Sequence, residues 1–158
     1  MRSSVALALM SLCAFALAAC GESQEDMEAR RAQARADSVN MAEGLYDTAV
    51  FDTLTWESEQ ARLERGAVVY RSSCQKCHGA NGGGNGEMAM QFELEVPSFQ
   101  APGWEYAGDV PALRHRVFVG HEGAMPNWGL YIKYRDVDAV AAHIAETMTP
   151  AETSEATG

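Results

Sequence analysis

Two cysteines and a histidine lie close together in the middle of the chain, in the run Cys74-Gln75-Lys76-Cys77-His78. The two thiols are three positions apart, and the imidazole follows the second thiol directly. This is the spacing of c-type haem attachment, because each thiol can form a thioether with one haem vinyl group while the imidazole reaches the iron from one face. A C-x-x-C pair also occurs in disulfides, redox dithiols and zinc sites.

The first 19 residues predict a secretory signal peptide. One early charge, Arg2, precedes an apolar run from Val5 to Ala19, which is shorter than a typical membrane span. The run ends in Leu17-Ala18-Ala19-Cys20, which resembles the lipobox of bacterial lipoproteins. In that family the cysteine receives a diacylglyceryl group, which implies an extracytoplasmic protein held on a bacterial membrane by lipid on Cys20. The alternatives are cleavage at an ordinary small-residue site, with Cys20 left as a spare thiol, and retention of the segment as an anchor.

The number of cysteines in the chain then limits the possible roles of the central motif. After removal of residues 1–19, the chain has only Cys20, Cys74 and Cys77. With lipid on the first, no thiol is left to pair with the other two. A zinc site would need further cysteines or a suitably spaced pair of histidines, and the sequence has neither.

The formal net charge of -10 argues against nucleic acid as a partner, because phosphate binding requires a basic patch. An acidic surface instead favours a soluble particle or docking on a basic surface. The net charge alone does not identify the partner; the family resemblance described below implies redox protein partners or a membrane oxidoreductase complex.

Composition divides the chain into four parts: residues 1–19 as signal peptide, 20–57 as a lipid-attached tether and linker, 58–149 as the folded domain, and 150–158 as a disordered acidic tail. Residues 21–40 alternate charges with alanine, which allows partial helix but provides no apolar stripe to pack it. Residues 41–57 are apolar enough to lie across the folded domain, and no motif is assigned to them.

Helices are predicted over residues 58–73, 109–119 and 135–148, with a short fourth helix over 87–92. Ser58 and Asp109 are suitable N-caps, and Gly120 is a stop signal for the second helix. Gly66 lies inside the first helix at a cost of about 1 kcal/mol, which close approach by another helix would explain. The five glycines within residues 79–86 predict tight turns. A phosphate-binding loop is the alternative there, but no G-K-[ST] follows.

Three or four helices over roughly 90 residues bury only a thin core. A macrocycle tied on by two covalent bonds would supply the missing apolar centre, which is an argument for a cofactor independent of the motif. No internal repeat and no convincing strand is visible. The predicted fold class is therefore all-α, with three to four helices wrapped around one covalently attached haem.

The second iron ligand decides what such a haem can do, since a thioether fills the site whereas an open position permits ligand binding. The candidates are Met88, Met90, Met125, Met148, His115, His121 and His143. Met125 is favoured because Pro126 fixes the backbone beside it. The small residues Gly123 and Ala124 let the segment approach a flat ring. His121 is the main competitor, because it lies in the same loop.

These patterns together resemble class I cytochromes c. The resemblance covers residues 58–148 and rests on Arg65-Gly66-x-x-x-Tyr70, Cys74-x-x-Cys77-His78-Gly79 and Gly123-Ala124-Met125-Pro126 before a closing helix. It implies a cytochrome c fold whose first and last helices cross at Gly66 and Tyr70. For the cofactor it implies haem c attached through Cys74 and Cys77, with His78 and Met125 as axial ligands.

The resemblance also implies a hydrogen bond from the proximal imidazole to a proline carbonyl, for which Pro97 is the nearest match. His143 departs from the family, whose final helix often has an aromatic residue at that place. Side chains that could contact the haem or its propionates, although each is more often ordinary packing or surface, are Trp104, Tyr106, Trp128, Arg114 and Arg116.

The function expected from the sequence is that of a membrane-anchored monohaem cytochrome c, which carries single electrons between extracytoplasmic respiratory or photosynthetic partners. No acid, base or nucleophile is required, so no catalytic residue is assigned and the chain is interpreted as an electron carrier and not an enzyme. One alternative is a permanent cytochrome c subunit of a quinol-oxidising or oxidase complex. The other is a haem protein that binds ligands or catalyses a reaction, if Met125 is not an iron ligand.

Overall fold

The computed structural model describes residues 23–150 except Glu122 and Ala124. The predicted signal peptide, the lipidation site Cys20 and nearly all of the predicted acidic tail lie outside the described residues. The predictions for those segments therefore remain predictions.

The described residues form helices and no strand. The α-helices are α1 Gln24–Leu45, α2 Thr48–Asp52, α3 Glu59–Val69, α4 Gln75–His78, α5 Glu87–Gln91, α6 Val110–Val119 and α7 Tyr134–Thr147. A π-helical turn, Tyr70–Cys74, joins α3 to α4, and a 3-10 turn, Trp128–Leu130, precedes α7. The all-α fold class is confirmed. Within the described part of the chain, no helix has both the length and the apolar character needed to cross a membrane.

Local capping signals fix the ends of two of the predicted helices. Ser58 caps α3, because its hydroxyl accepts a hydrogen bond of 3.1 Å from the N–H of Ala61. Asp109 caps α6 in the same way, accepting from the N–H of Ala112 at 2.9 Å. Gly120 ends α6 with a φ of 72°, which a residue with a side chain rarely adopts.

The first predicted helix does not continue unbroken to Ser73. At Tyr70 the backbone widens into the π turn, in which the N–H of Gln75 donates to the carbonyl of Tyr70. Cys74 closes this turn and is 8% exposed. The cysteine motif therefore begins where the α-helical hydrogen-bond pattern is interrupted.

Helix α1 is longer than the partial helix allowed by the sequence. Its first part is exposed, whereas Ala42 near its end is fully buried and Val39 packs against the core. The chain divides into a first unit that ends at Arg35 and a second that begins at Ala36. The folded unit thus takes in residues 36–57, which the sequence assigned to the tether and linker, because apolar side chains of this segment are buried against the core.

Helices α3 and α7 meet at Gly66, where the sequence placed the crossing. A Cβ atom there would overlap the carbonyl oxygen of Ala139 and would lie 2.6 Å from Cβ of His143. The Tyr70 ring lies 5.9 Å from the His143 ring, so the histidine takes the position expected for an aromatic residue. The Tyr70 hydroxyl donates a 2.7 Å hydrogen bond to the carbonyl of Gly79, which connects this crossing to the end of the cysteine motif.

Asp138 in α7 is a carboxylate buried in the core, 2% exposed. It accepts hydrogen bonds from Trp56 Nε1 at 2.8 Å, Arg62 Nε at 2.9 Å and Arg114 Nε at 2.8 Å. Burial alone would raise the pKa of Asp138. The bonds from Arg62 and Trp56, the charge of Arg62 and the bond from Arg114 outweigh burial and hold the pKa below its usual value. Through these hydrogen bonds, Asp138 connects α7 to α3, to α6 and to the segment that precedes α3.

Candidate cofactor site

Two cavities of about 330 Å³ and 130 Å³ border the cysteine motif. The residues that line both are Cys74, His78, Pro97, His121, Met125 and Trp128. Cys77 lines the larger cavity, which also has apolar walls from Leu94 and Val96. The structure therefore brings all four residues predicted for haem attachment and ligation around one shared space.

The two cysteines are free thiols, Cys74 buried and Cys77 partly exposed. Burial, together with the negative charge that Cys77 can carry, raises the pKa of Cys74 to about 12. A redox dithiol needs a thiol with a lowered pKa, because the thiolate is the attacking group. Within residues 23–150 as described, no group of three or more His, Cys, Asp or Glu side chains is arranged to hold a metal ion. The raised pKa of Cys74 therefore disfavours the dithiol alternative.

His78 has a partly buried imidazole that stacks on the Phe99 ring at a centroid distance of 4.7 Å. Burial lowers the pKa of His78 to about 4, and the charge of His121 acts in the same direction. The imidazole is therefore neutral at pH 7 and keeps a lone pair for a metal ion. Its Nδ1 atom is buried and has no hydrogen-bond partner among the described residues. The predicted hydrogen bond to the carbonyl of Pro97 is thus not formed, although Pro97 lines both cavities.

The glycine-rich loop after His78 folds back onto the motif. The N–H of Gly84 donates to the carbonyl of His78 at 2.9 Å, and the N–H of Gly86 donates to the carbonyl of Cys77 at 3.1 Å. Gly84 has a φ of 76°, as the predicted turns require. Carbonyl groups left free at the end of α4 are satisfied by this loop, which holds the motif in place.

Met125 lies in the loop that connects α6 to the 3-10 turn, where it is partly buried against the core. The loop is pinched at its base, because a Cβ atom on Gly120 would lie 2.7 Å from the carbonyl carbon of Pro126. Inside the loop, the N–H of His121 donates to the carbonyl of Met125 at 3.4 Å. This geometry holds the Met125 side chain at the cavities.

The structure separates Met125 and His121 from the other ligand candidates, because these two line both cavities. Met88 lines the larger cavity but not the smaller one. Met148 and His143 line a separate cavity. Met90 is 66% exposed, and His115 forms a hydrogen bond with Glu43. His121 Nδ1 accepts a 3.0 Å hydrogen bond from the N–H of Gly123. One imidazole nitrogen of this competitor is thereby occupied by its own loop.

Aromatic and arginine side chains near the cavities divide into two groups. Trp104, Tyr106 and Arg116 line the smaller cavity. Arg114, in contrast, donates to Asp138. Of the two arginines considered as haem contacts, Arg116 is therefore the one at the cavity.

Sequence reasoning did not single out Phe99, because a lone aromatic residue after a proline has no distinctive pattern.

The side chains around this shared space have the chemistry that a haem site requires. A partly buried, neutral imidazole faces the same space as two thiols and a thioether. Because Nδ1 is the nitrogen expected to donate to the Pro97 carbonyl, the other ring nitrogen, Nε2, is the atom available to a metal ion. The donor set and the apolar walls fit a covalently bound haem.

Comparisons with known proteins give the following relatives. The family profile described as cytochrome c oxidase, cbb3-type, subunit III matches residues 61–144. The Cbb3-type cytochrome c oxidase subunit CcoP of Cereibacter sphaeroides is 26% identical over 88 residues, which are 56% of this chain and 28% of the relative. Subunit FixP of Azorhizobium caulinodans is 27% identical over 81 residues, 51% of this chain and 26% of the relative. The chain therefore matches only about a quarter of the length of these curated relatives. No solved structure gives a match.

Proposed function

This chain belongs to the family of cytochrome c oxidase, cbb3-type, subunit III, and from that membership we propose that it serves as a cytochrome c subunit of a membrane oxidase complex. The family implies a covalently bound haem c and a role in electron transfer. Both curated relatives are named as oxidase subunits, which favours the permanent-subunit alternative over the free shuttle expected from the sequence. A haem c bound here supplies a one-electron Fe(III)/Fe(II) couple.

The residues proposed to hold one haem c are Cys74 and Cys77 as thioether donors and His78 and Met125 as axial ligands. The observation that supports this assignment is that all four residues line the larger cavity. The neutral imidazole of His78 is ready to bind iron without losing a proton. The neutral imidazole of His78 and the shared lining of the larger cavity support the proposed roles.

The surrounding side chains exclude water and tune the site. Leu94 and Val96 line the larger cavity, and Leu113, Val117 and Ile144 line the smaller. Apolar walls and a thioether ligand both favour the reduced state of a haem iron and raise its potential. These residues therefore support a role in electron transfer.

Electron exchange is proposed at the open border of the larger cavity. This border includes the exposed side chains of Lys76, Met88 and Glu95. A redox partner that docks here comes close to the cofactor without entering the cavity. Small contact areas of this kind suit transient redox encounters.

An optical spectrum of the protein matured with haem-attachment machinery tests the ligand assignment. We expect a sharp, split ferrous band and the weak red band of an oxidised His/Met haem. Met125→Ala should abolish the red band and allow the ferrous protein to bind carbon monoxide, whereas His121→Ala should leave both properties unchanged. The reverse pattern would make His121 the ligand. Rapid carbon monoxide binding by the unmodified ferrous protein would instead favour the ligand-binding or catalytic alternative.

Purification in mild detergent tests the subunit assignment. A permanent subunit should co-purify with oxidase chains in fixed proportion. Isolation of the chain alone, with rapid electron exchange with several soluble redox proteins, would favour the free shuttle.

Membrane attachment through lipid on Cys20 is also proposed, supported by the pattern Leu17-Ala18-Ala19-Cys20. This would place the protein on the extracytoplasmic side of a bacterial membrane. Mass spectrometry of the N-terminal peptide should detect the diacylglyceryl group, and Cys20→Ser should release the protein from the membrane fraction. Unchanged membrane association of Cys20→Ser would show that a different segment or partner holds it.

A further inference from the structure

A hydrogen bond connects the Met125 loop to the N-terminal part of the folded unit. Asn127 lies two residues after Met125 and is 7% exposed. Its side-chain amide donates to the carbonyl of Ser38 at 2.9 Å and also contacts the Ser38 hydroxyl. Ser38 belongs to α1 and is 89 residues away in sequence. It also lies outside residues 61–144, to which the family profile matches.

The segment from Ala36 to Leu54, here named the N-terminal strap, is fixed independently of this bond. The carbonyl of Leu45 accepts a 2.6 Å hydrogen bond from the Tyr134 hydroxyl. The Tyr46 ring packs against the Phe118 ring at 5.4 Å. The strap is therefore anchored on α6 and α7 and offers Ser38 as a fixed acceptor.

The Met125 loop itself has little regular structure to hold it. It lies outside α6 and α7, and its internal bond from His121 to Met125 is long, at 3.4 Å. A buried amide such as that of Asn127 is costly to leave without a partner, so its bond to Ser38 restricts the loop strongly. The tie to the strap thus restrains the chain directly after Met125, in addition to the close packing of Gly120 against Pro126.

We propose that Asn127 is a positioning residue for Met125, and that the N-terminal strap keeps the Met125 sulfur at the haem iron through the Asn127–Ser38 bond. The proposal rests on the proposed ligation by Met125. It makes the stability of the iron–methionine bond depend on residues that precede the matched family region.

The test uses the full, haem-loaded chain and two readouts, the red absorption band of the oxidised protein and the rate of carbon monoxide binding to the ferrous protein. In Asn127→Ala, we expect a weaker red band and carbon monoxide binding faster by about tenfold, as the loss of one buried hydrogen bond would produce. Ser38→Ala removes the hydroxyl but keeps the carbonyl acceptor, so its effect should have the same direction and be smaller. If Asn127→Ala does not mature with haem, the red band and the carbon monoxide rate of Ser38→Ala decide the test.

Two matched controls separate positioning from general weakening of the fold. Gln100→Ala removes another amide that donates to a backbone carbonyl, that of Asn81 at 3.0 Å. Val69→Ala lowers stability from a buried position that lines neither of the two cavities. Both controls should keep the red band and the carbon monoxide rate of the unmodified protein.

The outcomes distinguish this proposal from the proposed function. If Met125→Ala abolishes the red band but Asn127→Ala and Ser38→Ala leave band and rate unchanged, the positioning role is overturned and the ligation stands. If Val69→Ala matches the effect of Asn127→Ala, the bond acts on overall stability and the positioning role is again overturned. If the unmodified protein lacks the band, ligation by Met125 and the positioning role both fail.

Discussion

The two walls of the cofactor site are built in different ways. On the His78 side, the bonds from Gly84 and Gly86 to the motif come from within nine residues of their acceptors. On the Met125 side, the loop is tied by Asn127 to Ser38, 89 residues away. The first wall is a local structure that its own sequence specifies, whereas the second is assembled only when distant parts of the fold are in place.

This difference explains why the two ligands were not equally visible in the sequence. Covalent attachment demands a fixed spacing of thiols and imidazole, so the first wall leaves a recognisable motif. A single methionine in a loop has no such constraint, so His121 competes with Met125 as the second ligand. Both Met125 and His121 line the cavities, so spectra of the variants are needed to distinguish them as ligands.

The variant with the largest expected effect changes the His78 wall and leaves the Met125 wall intact. Cys77→Ser should abolish two-point covalent attachment of haem, because one thioether donor is lost. Met125→Ala should retain the full covalent haem mass, since its wall contributes no thioether. Mass spectrometry of the denatured protein measures both. Stable two-point attachment in Cys77→Ser would contradict the whole assignment of the motif.

A second prediction concerns Asp138, whose substitution should weaken the packing of the helices behind both walls. Asp138→Asn should lower the free energy of unfolding by about 3 kcal/mol, because it leaves buried parts of Arg62 and Arg114 without their charged partner. The matched control is Asp136→Asn, whose partner Arg65 is exposed and pairs at 2.7 Å; a surface pair contributes less than about 1 kcal/mol. Denaturant unfolding measures both variants. Equal effects in the two would show that burial gives Asp138 no special role.

A third prediction compares the walls directly with two glycine substitutions. Gly84→Ala and Gly120→Ala each place a side chain at a positive φ, 76° and 72°, and should each cost about 1–3 kcal/mol of stability. Only Gly120→Ala should also weaken the red band, because it distorts the base of the Met125 loop. A band weakened equally by both would mean that the walls are not independent.

The pH dependence of stability gives a smaller effect. The folded-state pKa of Asp138 lies below its ordinary value of 3.8, so its stabilising contribution is present above that ordinary value and is lost as the pH falls through the folded-state value. Between pH 5 and pH 3, the unmodified protein should lose more stability than Asp138→Asn. Unfolding curves at both pH values give the comparison, and parallel losses would contradict it.

The smallest expected effect concerns the open border of the larger cavity. Glu95→Lys should slow reduction of the haem by a small cationic reagent and speed reduction by an anionic one, each by roughly twofold to fivefold at low salt. Glu146→Lys changes the net charge equally in α7, outside the cavity lining. It should have less effect on both rates. Equal effects would place electron exchange away from this border.

Much of the fold could be predicted because its signals are local. Asp109 and Gly120 mark the ends of α6 by capping chemistry, and the apolar period of α7 marks its buried face. Helix α1 was not predicted in full, because its charges and alanines show no apolar stripe. Its last turns are held by the packing of Val39 and Ala42 on the folded unit and by the hydrogen bonds of Ser38 and Leu45 to distant residues.

The least predictable feature was the burial of Asp138. In sequence it is one acidic residue among others in a helix, and nothing nearby marks it as buried. Its partners Trp56, Arg62 and Arg114 come from three separate segments. Only their convergence satisfies the carboxylate, and convergence of distant segments is not encoded in any local pattern.

The π turn at Tyr70–Cys74 has a consequence for how this chain can vary. It holds one residue more than an α-helical turn, so each later position is rotated by about 100° from where a regular helix would place it. Loss of one residue between Tyr70 and Cys74 would restore a regular helix, and the shift of one position would cancel this rotation and leave both thiols near their present orientation. Relatives can therefore differ by one residue across this turn and still present the two thiols to the same cavities.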